Sequence, residues 1–259
     1  MYTYLNKLGK GKYGTVWKVK KDNKIMALKK IKITDVKIKD LAIKEVEMLK
    51  NISDPCIKSL TCFYDYHIED DTLFIEMEYI EGTTLLEFAE SYRGISLLYR
   101  YLLSILRDLI PGLQYLHSHG IIHRDIKPEN IIIDKNNQPK LIDIGLGCEV
   151  NQCGLKYKCC MGRSGTPLFM SPESLLNNIS YFVSDIYSLG ATIYFAATGK
   201  YIHYPTPKNM DDLLEMVEYV RPKPLDTANL QLNRLVNKML THDFKQRITS
   251  EELDEYLNF

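Results

Sequence analysis

The sequence predicts an α+β protein in two lobes, a small β-rich one over residues 1–80 and a larger helical one over 81–259. Three observations lead there. Before residue 80, short runs rich in β-branched, aromatic and aliphatic residues alternate with turn clusters. From about residue 84 the apolar spacing changes to that of helices. No internal repeat and no low-complexity linker separates the two regimes.

In order, TYLNKLG, GTVWKVKK and KIMALKKI read as strands, with KDN as a turn between the last two. Residues 36–50, VKIKDLAIKEVEMLK, place Leu41, Val46 and Leu49 on a helical stripe. Strand character returns over 57–80 as IKSLTCFYDYHI, the turn EDD, and TLFIEMEYI. The link between lobes then falls near 78–83. LLEFAESY and the long segment LLYRYLLSILRDLIPGLQYLHSHG read as helices, the second ending at Gly120. Pro111 lies inside it and is expected to kink it or mark a late break. KNNQPK, residues 135–140, is a turn between two short apolar strands. After 175, SYFVSDIYSLGATIYFAATG, MDDLLEMVEYV and LNRLVNKMLT read as helices.

Composition bounds the function. With 259 residues, 45% hydrophobic and 25% charged, the chain can bury a sizeable core. Formal net charge is zero, so no polyanionic partner is implied for the whole chain and no nucleic acid is expected. Residues 1–50 hold 14 Lys against 5 Asp plus Glu, a surplus read as solvated lysines on a small, surface-rich lobe. No apolar run approaches the roughly 20 residues of a membrane helix, and the N-terminus lacks a signal-peptide core. These features predict a cytoplasmic protein, which for a virus or an intracellular bacterium means the host cytoplasm. The Lys-, Ile-, Asn- and Tyr-rich usage fits an AT-rich genome. Six cysteines without secretory signals predict free thiols. Four of them lie in 148-CEVNQCGLKYKCC-160, where a redox switch or a zinc site is the alternative to free thiols, at spacings that do not match a zinc ribbon.

Two features of the first lobe carry chemistry. The run 9-GKGKYG-14 sits between strands, where Gly9, Gly11 and Gly14 suit either a glycine-rich turn or a lid whose backbone N–H groups approach phosphate oxygens. Lys29 lies in an apolar strand, which is costly for a charge without an opposite one. Glu45, on the apolar side of the helix at 36–50, is the candidate partner.

The second lobe opens with 121-IIHRDIKPENIIID-134, where charged residues and an Asn are clamped between isoleucines. A solvated turn has no use for such flanks. Taken with GxGxxGxV at 9–16, AxK at 27–29, Glu45, DIG at 143–145, GTPLFMSPE at 165–173, DIYSLG at 185–190 and Arg247, the sequence resembles a eukaryotic-type protein kinase of the serine/threonine class, from Gly9 to Arg247. Eight motifs in one order make the resemblance specific. It implies a bilobal protein-kinase-like fold, a single kinase domain over 1–259, and ATP with Mg²⁺, or Mn²⁺, as cofactors.

The resemblance also assigns roles. It makes Asp125 the catalytic base, places Lys127 near the γ-phosphate, and gives the metal to Asn130 and Asp143. Lys29, held by Glu45, reaches the phosphates, and Thr166 bonds near Asp125 and Lys127. Val16, Ala27, Met77 and Ile132 sandwich the adenine, the backbones of Glu78 and Ile80 meet its edge, and Thr84 faces the ribose. Leu49, Leu60, His123 and Ile144 form the apolar column between lobes. Asp185 holds the HRD turn, and Glu173 with Arg247 forms a structural ion pair. Lys127 and Thr166 favour serine/threonine over tyrosine, with dual specificity as the alternative. A pseudokinase scaffold would lack Lys29, Asp125, Asn130 or Asp143, and all four are present. A small-molecule kinase would lack the SPE segment.

Three departures from the family pattern stand out. Ile144 replaces the usual Phe. Gly162 stands where the activation phosphosite is expected, with Ser164 and Tyr157 as the nearest hydroxyls. Thr84 and Phe195 stand where some relatives carry carboxylates that read basic substrates, leaving Glu129 as a partner for one basic residue. The expected partners are protein substrates, met by a monomer or transient dimer away from membranes.

Overall fold

The structure, a computed structural model, describes the backbone of residues 1–11, 14–153 and 157–258; the side chains of 151–153, 157 and 258 lie outside the described set. The first lobe is a five-stranded antiparallel sheet with one helix. β1 (Thr3–Lys10), β2 (Thr15–Lys21) and β3 (Lys24–Lys32) form a meander. α1 (Val36–Asn51) follows, then β4 (Phe63–Glu69) and β5 (Thr72–Glu78), giving the sheet order β1-β2-β3-β5-β4. Asp35 starts α1 by accepting the Ile38 N–H at 2.9 Å, which satisfies an otherwise orphan helix donor. Ala42, Glu45, Val46, Met48 and Leu49 are the buried face of α1. Leu41 is not on it; it is 42% exposed, because Ala42 takes the position one residue on.

The chain enters the second lobe through β6 (Gly82–Thr84) and α2 (Leu85–Ser91), where Thr84 and Glu87 form a capping box. α3 (Leu97–Ser118) runs through Pro111 without a break. Its buried face, Leu102, Leu106, Ile110, Leu113 and Leu116, explains why. Each such side chain contributes about 1.5–3 kcal/mol of burial, which outweighs the roughly 3 kcal/mol a proline costs a helix interior. β7 (Ile121–Ile122), a 3₁₀ turn at Pro128–Asn130, β8 (Ile131–Asp134) and β9 (Pro139–Leu141) follow, with β6, β8 and β9 in one small sheet.

Next come β10 (Cys148–Glu149), β11 (Asn151–Cys153), β12 (Tyr157–Met161), a 3₁₀ turn at Pro167–Phe169, α4 (Pro172–Leu176) and β13 (Ile179–Ser180). α5 (Phe182–Thr198) is the central buried helix, followed by α6 (Met210–Tyr219), α7 (Leu230–Met239) and α8 (Ser250–Asn258). α8 was not foreseen; it lies on α3, where Gln114 donates to the Ser250 carbonyl at 3.2 Å.

The strand expected from residue 57 begins only at Phe63. Residues 59–61 pair across to the second lobe instead, with Leu141 N–H on the Ser59 carbonyl at 2.8 Å and Thr61 N–H on the Leu141 carbonyl at 3.1 Å. The expectation of free thiols is also corrected. Cys56 bonds Cys62, Cys148 bonds Cys160, and no cysteine among the described residues is free. The Cα atoms of Cys56 and Cys62 lie 5.4 Å apart and those of Cys148 and Cys160 6.2 Å apart, a closeness that spacing along the chain does not reveal. No described helix is long and apolar enough to cross a membrane.

Candidate active site

Of the glycine run, Gly9 lies in β1 opposite Val16, and Gly11 and Gly14 lie between β1 and β2; Lys12 and Tyr13 lie outside the described residues. Gly11 N–H donates to the Gly14 carbonyl at 2.9 Å. A Cβ on Gly14 would lie 2.4 Å from the Lys30 carbonyl oxygen, so only glycine lets the turn lie against β3. A Cβ on Gly9 meets nothing within 4 Å, so the first glycine borders open space. Beneath it, Ala27 pairs with Met77 across β3 and β5, and both are buried. Ile132 pairs with Thr84 on the other lobe. Thr84 itself caps α2, bonding Glu87. The Glu78 carboxylate is held by Lys140 at 2.8 Å, a partner the sequence did not signal.

Lys29 stands in the middle of β3, between Val16 and Ile75. Its Nζ donates to Glu45 Oε1 at 2.6 Å and to Asp143 Oδ1 at 2.8 Å. Burial works against the ammonium, but the two carboxylates outweigh it and its pKa ends above the ordinary lysine value. For Glu45 burial dominates, reinforced by the like charge of Asp143, and its pKa is raised. For Asp143 the upward pull of burial is overcome by Lys29 and the Gly145 N–H, and its pKa is lowered.

The second cluster is built on the loop after β7. Asp125 is buried, and both its oxygens are engaged. Oδ1 accepts from Thr166 Oγ1 at 2.6 Å; Oδ2 accepts from Lys127 Nζ at 2.8 Å and Asn130 Nδ2 at 3.0 Å. Lys127 also donates to Thr166 Oγ1 at 2.9 Å. The loop is fixed from below by Asp185, fully buried at the start of α5. It accepts the His123 and Arg124 N–H groups at 2.8 and 2.9 Å, with His117 Nε2 at 3.1 Å. Arg124 and Asp143 hold φ values of 65° and 61°, left-handed backbone that persists only where surrounding contacts impose it. Gly165, at φ 122°, is required twice over: a Cβ there would lie 2.2 Å from the Arg124 carbonyl oxygen.

The donor chemistry of Asn130 and Asp143 suits a hard divalent cation. The Asn130 amide nitrogen bonds Asp125, which leaves its side-chain oxygen as the available donor. The Asp143 side chain is 47% exposed and uses Oδ1 on Lys29 and Gly145. Ile142 N–H bonds the Asn130 carbonyl at 2.9 Å, which sets the two ligand-bearing stretches side by side. Among the described residues no group of three or more His, Cys, Asp or Glu is arranged to hold a metal ion.

The remaining expected positions fall as follows. Leu49, Leu60, His123 and Ile144 are all buried. Glu173 and Arg247 form a two-pronged pair at 2.7 and 2.9 Å. Glu129 is exposed. Ile80 lies just before β6. The Tyr157 side chain lies outside the described residues. Arg124 donates to the Leu146 and Gly147 carbonyls at 2.7 and 3.3 Å, and Gly162 N–H bonds the Asn178 carbonyl at 2.8 Å. Sequence reading missed Arg163, which donates to the Leu175 carbonyl at 2.7 Å and to Asn178 Oδ1 at 3.1 Å; nothing in its local pattern marks it.

Comparison with known proteins gives a consistent picture. Residues 2–257 match the family profile described as "Protein kinase domain". Mitogen-activated protein kinase kinase 2 of Arabidopsis thaliana is 31% identical over 261 residues, covering 96% of this chain and 69% of that protein. Serine/threonine-protein kinase pakA of Dictyostelium discoideum is 32% identical over 209 residues, 79% of this chain. Serine/threonine-protein kinase KIC1 of Saccharomyces cerevisiae is 29% identical over 261 residues, 95% of this chain. The chain spans only 17% and 22% of the lengths of pakA and KIC1.

Proposed function

We propose, since this chain belongs to the protein kinase domain family, that it transfers the γ-phosphate of ATP to serine or threonine hydroxyls of protein substrates. The observation that carries this reading is the Asp125 cluster, in which one buried carboxylate is shared by Lys127, Asn130 and Thr166. Phosphoryl transfer asks a protein mainly for in-line positioning and charge compensation. Asp125 orients the substrate hydroxyl and takes its proton as the new O–P bond forms and the bond to the β-phosphate bridging oxygen breaks. Lys127 compensates charge on the transferring group, and Thr166 fixes the carboxylate it serves. Lys29 holds the nucleotide phosphates and is itself aimed by Glu45. Asn130 and Asp143 would hold a magnesium ion, which when bound screens the phosphate charge.

The same reading covers regulation. Arg124 is already engaged by backbone carbonyls, and Gly162 has no hydroxyl, so the enzyme needs no phosphate at the usual place, or uses Ser164. Mass spectrometry of active protein checks this; a required, stoichiometric phosphate elsewhere within 145–170 contradicts both versions.

Asp125→Asn tests the assignment. Turnover on protein substrate should fall by ~10²–10⁴ while nucleotide binding is kept. Phosphoamino-acid analysis of the wild-type product should give phosphoserine and phosphothreonine. Unchanged turnover in the variant removes Asp125 from the role, and a phosphotyrosine product replaces the serine/threonine reading with dual specificity.

A further inference from the structure

The segment between Asp143 and Thr166 begins and ends on the catalytic loop. At its start, Arg124 binds the Leu146 and Gly147 carbonyls, and Cys148 and Glu149 pair with Ile122 and Ile121. At its end, Cys160 and Met161 pair with Ser180 and Ile179, Arg163 binds Leu175 and Asn178, and Thr166 reaches Asp125. Each of these two ladders has only two residue pairs. Ladders so short are marginal alone. The Cys148–Cys160 bond joins them, closing a ring across twelve positions of sequence. It fastens the strand ahead of the catalytic Asp to the strand ahead of α5. A cross-link of this kind removes the loosened arrangements otherwise open to the segment. Glu149, beside it, also accepts from Asn51 at the end of α1 at 3.2 Å.

We propose that Cys148 and Cys160 are a reversible oxidation site that governs how the protein substrate is seated, and leaves nucleotide binding alone. The inference rests on the kinase reading above. The division follows from placement. The bond bears on residues 160–166, which lead to Thr166 and Asp125. Ala27, Met77 and Ile132, the expected adenine contacts, lie on β3, β5 and β8, none of which it touches. Formation proceeds by thiol–disulfide exchange with a low-molecular-weight disulfide such as oxidised glutathione. One cysteine thiolate attacks it and expels one thiol, and the second cysteine attacks the mixed disulfide and expels the other. The two cysteines lose two electrons and two protons, and the oxidant becomes two thiols. A dithiol reverses the step.

The test uses the full chain, poised with oxidised glutathione or with dithiothreitol, with peptide mapping of the 148–160 bond in each state. Peptide-substrate KM should rise about tenfold on reduction, within the roughly 10²-fold that a misplacement of about 1 Å can cost, while nucleotide affinity stays the same. Reduction should also make the chain beside Cys148 and Cys160 more susceptible to limited proteolysis, a readout that needs no activity. Cys148→Ser/Cys160→Ser should behave as the reduced protein under both conditions, and Cys56→Ser/Cys62→Ser should keep the response. Absence of the 148–160 bond after oxidation overturns the proposal. So does its full reduction with unchanged KM or, should no phosphate be transferred, with unchanged proteolysis. A response that persists in Cys148→Ser/Cys160→Ser does the same. Failure of nucleotide binding and phosphate transfer in both redox states, with the proteolytic response intact, counts against the kinase reading instead.

Discussion

Lys29–Glu45 and Arg247–Glu173 are both buried charge pairs, with closest N–O distances of 2.6 and 2.7 Å. Their surroundings differ. Arg247 is saturated: it binds both Glu173 oxygens and the carbonyls of Thr241, Val183 and His242. Glu173 accepts from Ser184 as well, and although burial pulls its pKa up, these donors overcome it and hold it low. Lys29 instead divides itself between Glu45 and Asp143, and Glu45 is pushed up. A pair with every donor and acceptor filled is a rivet. A cation shared between two carboxylates, one of them half-exposed, is tied less firmly to either.

The largest effect that would sharpen this contrast is on turnover. Lys29→Met should cut it by about 10²–10³ yet cost only about 1–2 kcal/mol of stability, because burial already raises the Glu45 pKa against the pull of Lys29. Kinetics beside chemical denaturation measures both; an unfolded variant breaks the contrast. Next, Arg247→Leu should cost about 3–5 kcal/mol, since Glu173 is held as a carboxylate and would be left buried without its cation. A loss below 1 kcal/mol would make the two pairs equivalent.

The smallest effect is on pH dependence. Glu173 has a lowered folded-state pKa, so its stabilisation is complete above its ordinary value of 4.5 and is lost as the pH falls below it. Glu45 has the opposite sign: its contribution is greatest below 4.5 and is lost as the pH rises through its raised folded value. Replacing the first pair, as Glu173→Gln/Arg247→Met, should therefore flatten the fall in denaturation midpoint below pH 4.5. An unchanged slope would mean Glu173 does not supply it.

The same contrast separates what was legible in the sequence from what was not. Lys29 in an apolar strand and the polar run between isoleucines at 121–134 are local contradictions, and local contradictions can be read. Asp125, Lys127, Asn130 and Thr166 do meet. Cys148 and Cys160 lie on β10 and β12, strands too brief to carry a pattern, and Cys56 and Cys62 lie between α1 and β4 in no strand at all. The late start of β4 was hidden because Leu60 leaves its own sheet to pair with Leu141. Helix α8 carries a readable start, Thr249-x-x-Glu252, whose side chains each bond the other's backbone N–H, and only its short length hides it.

One feature of the fold sets how the two lobes can move. Gly82 lies so close to β8 that a Cβ there would be 2.1 Å from the Ile133 carbonyl oxygen, so β6 travels with the second lobe. Leu60 and Leu141 form another crossing, beside the Lys29–Asp143, Glu78–Lys140 and Asn51–Glu149 contacts. The lobes are thus stitched together along the whole seam. Any change in the angle between them must stretch or break these links.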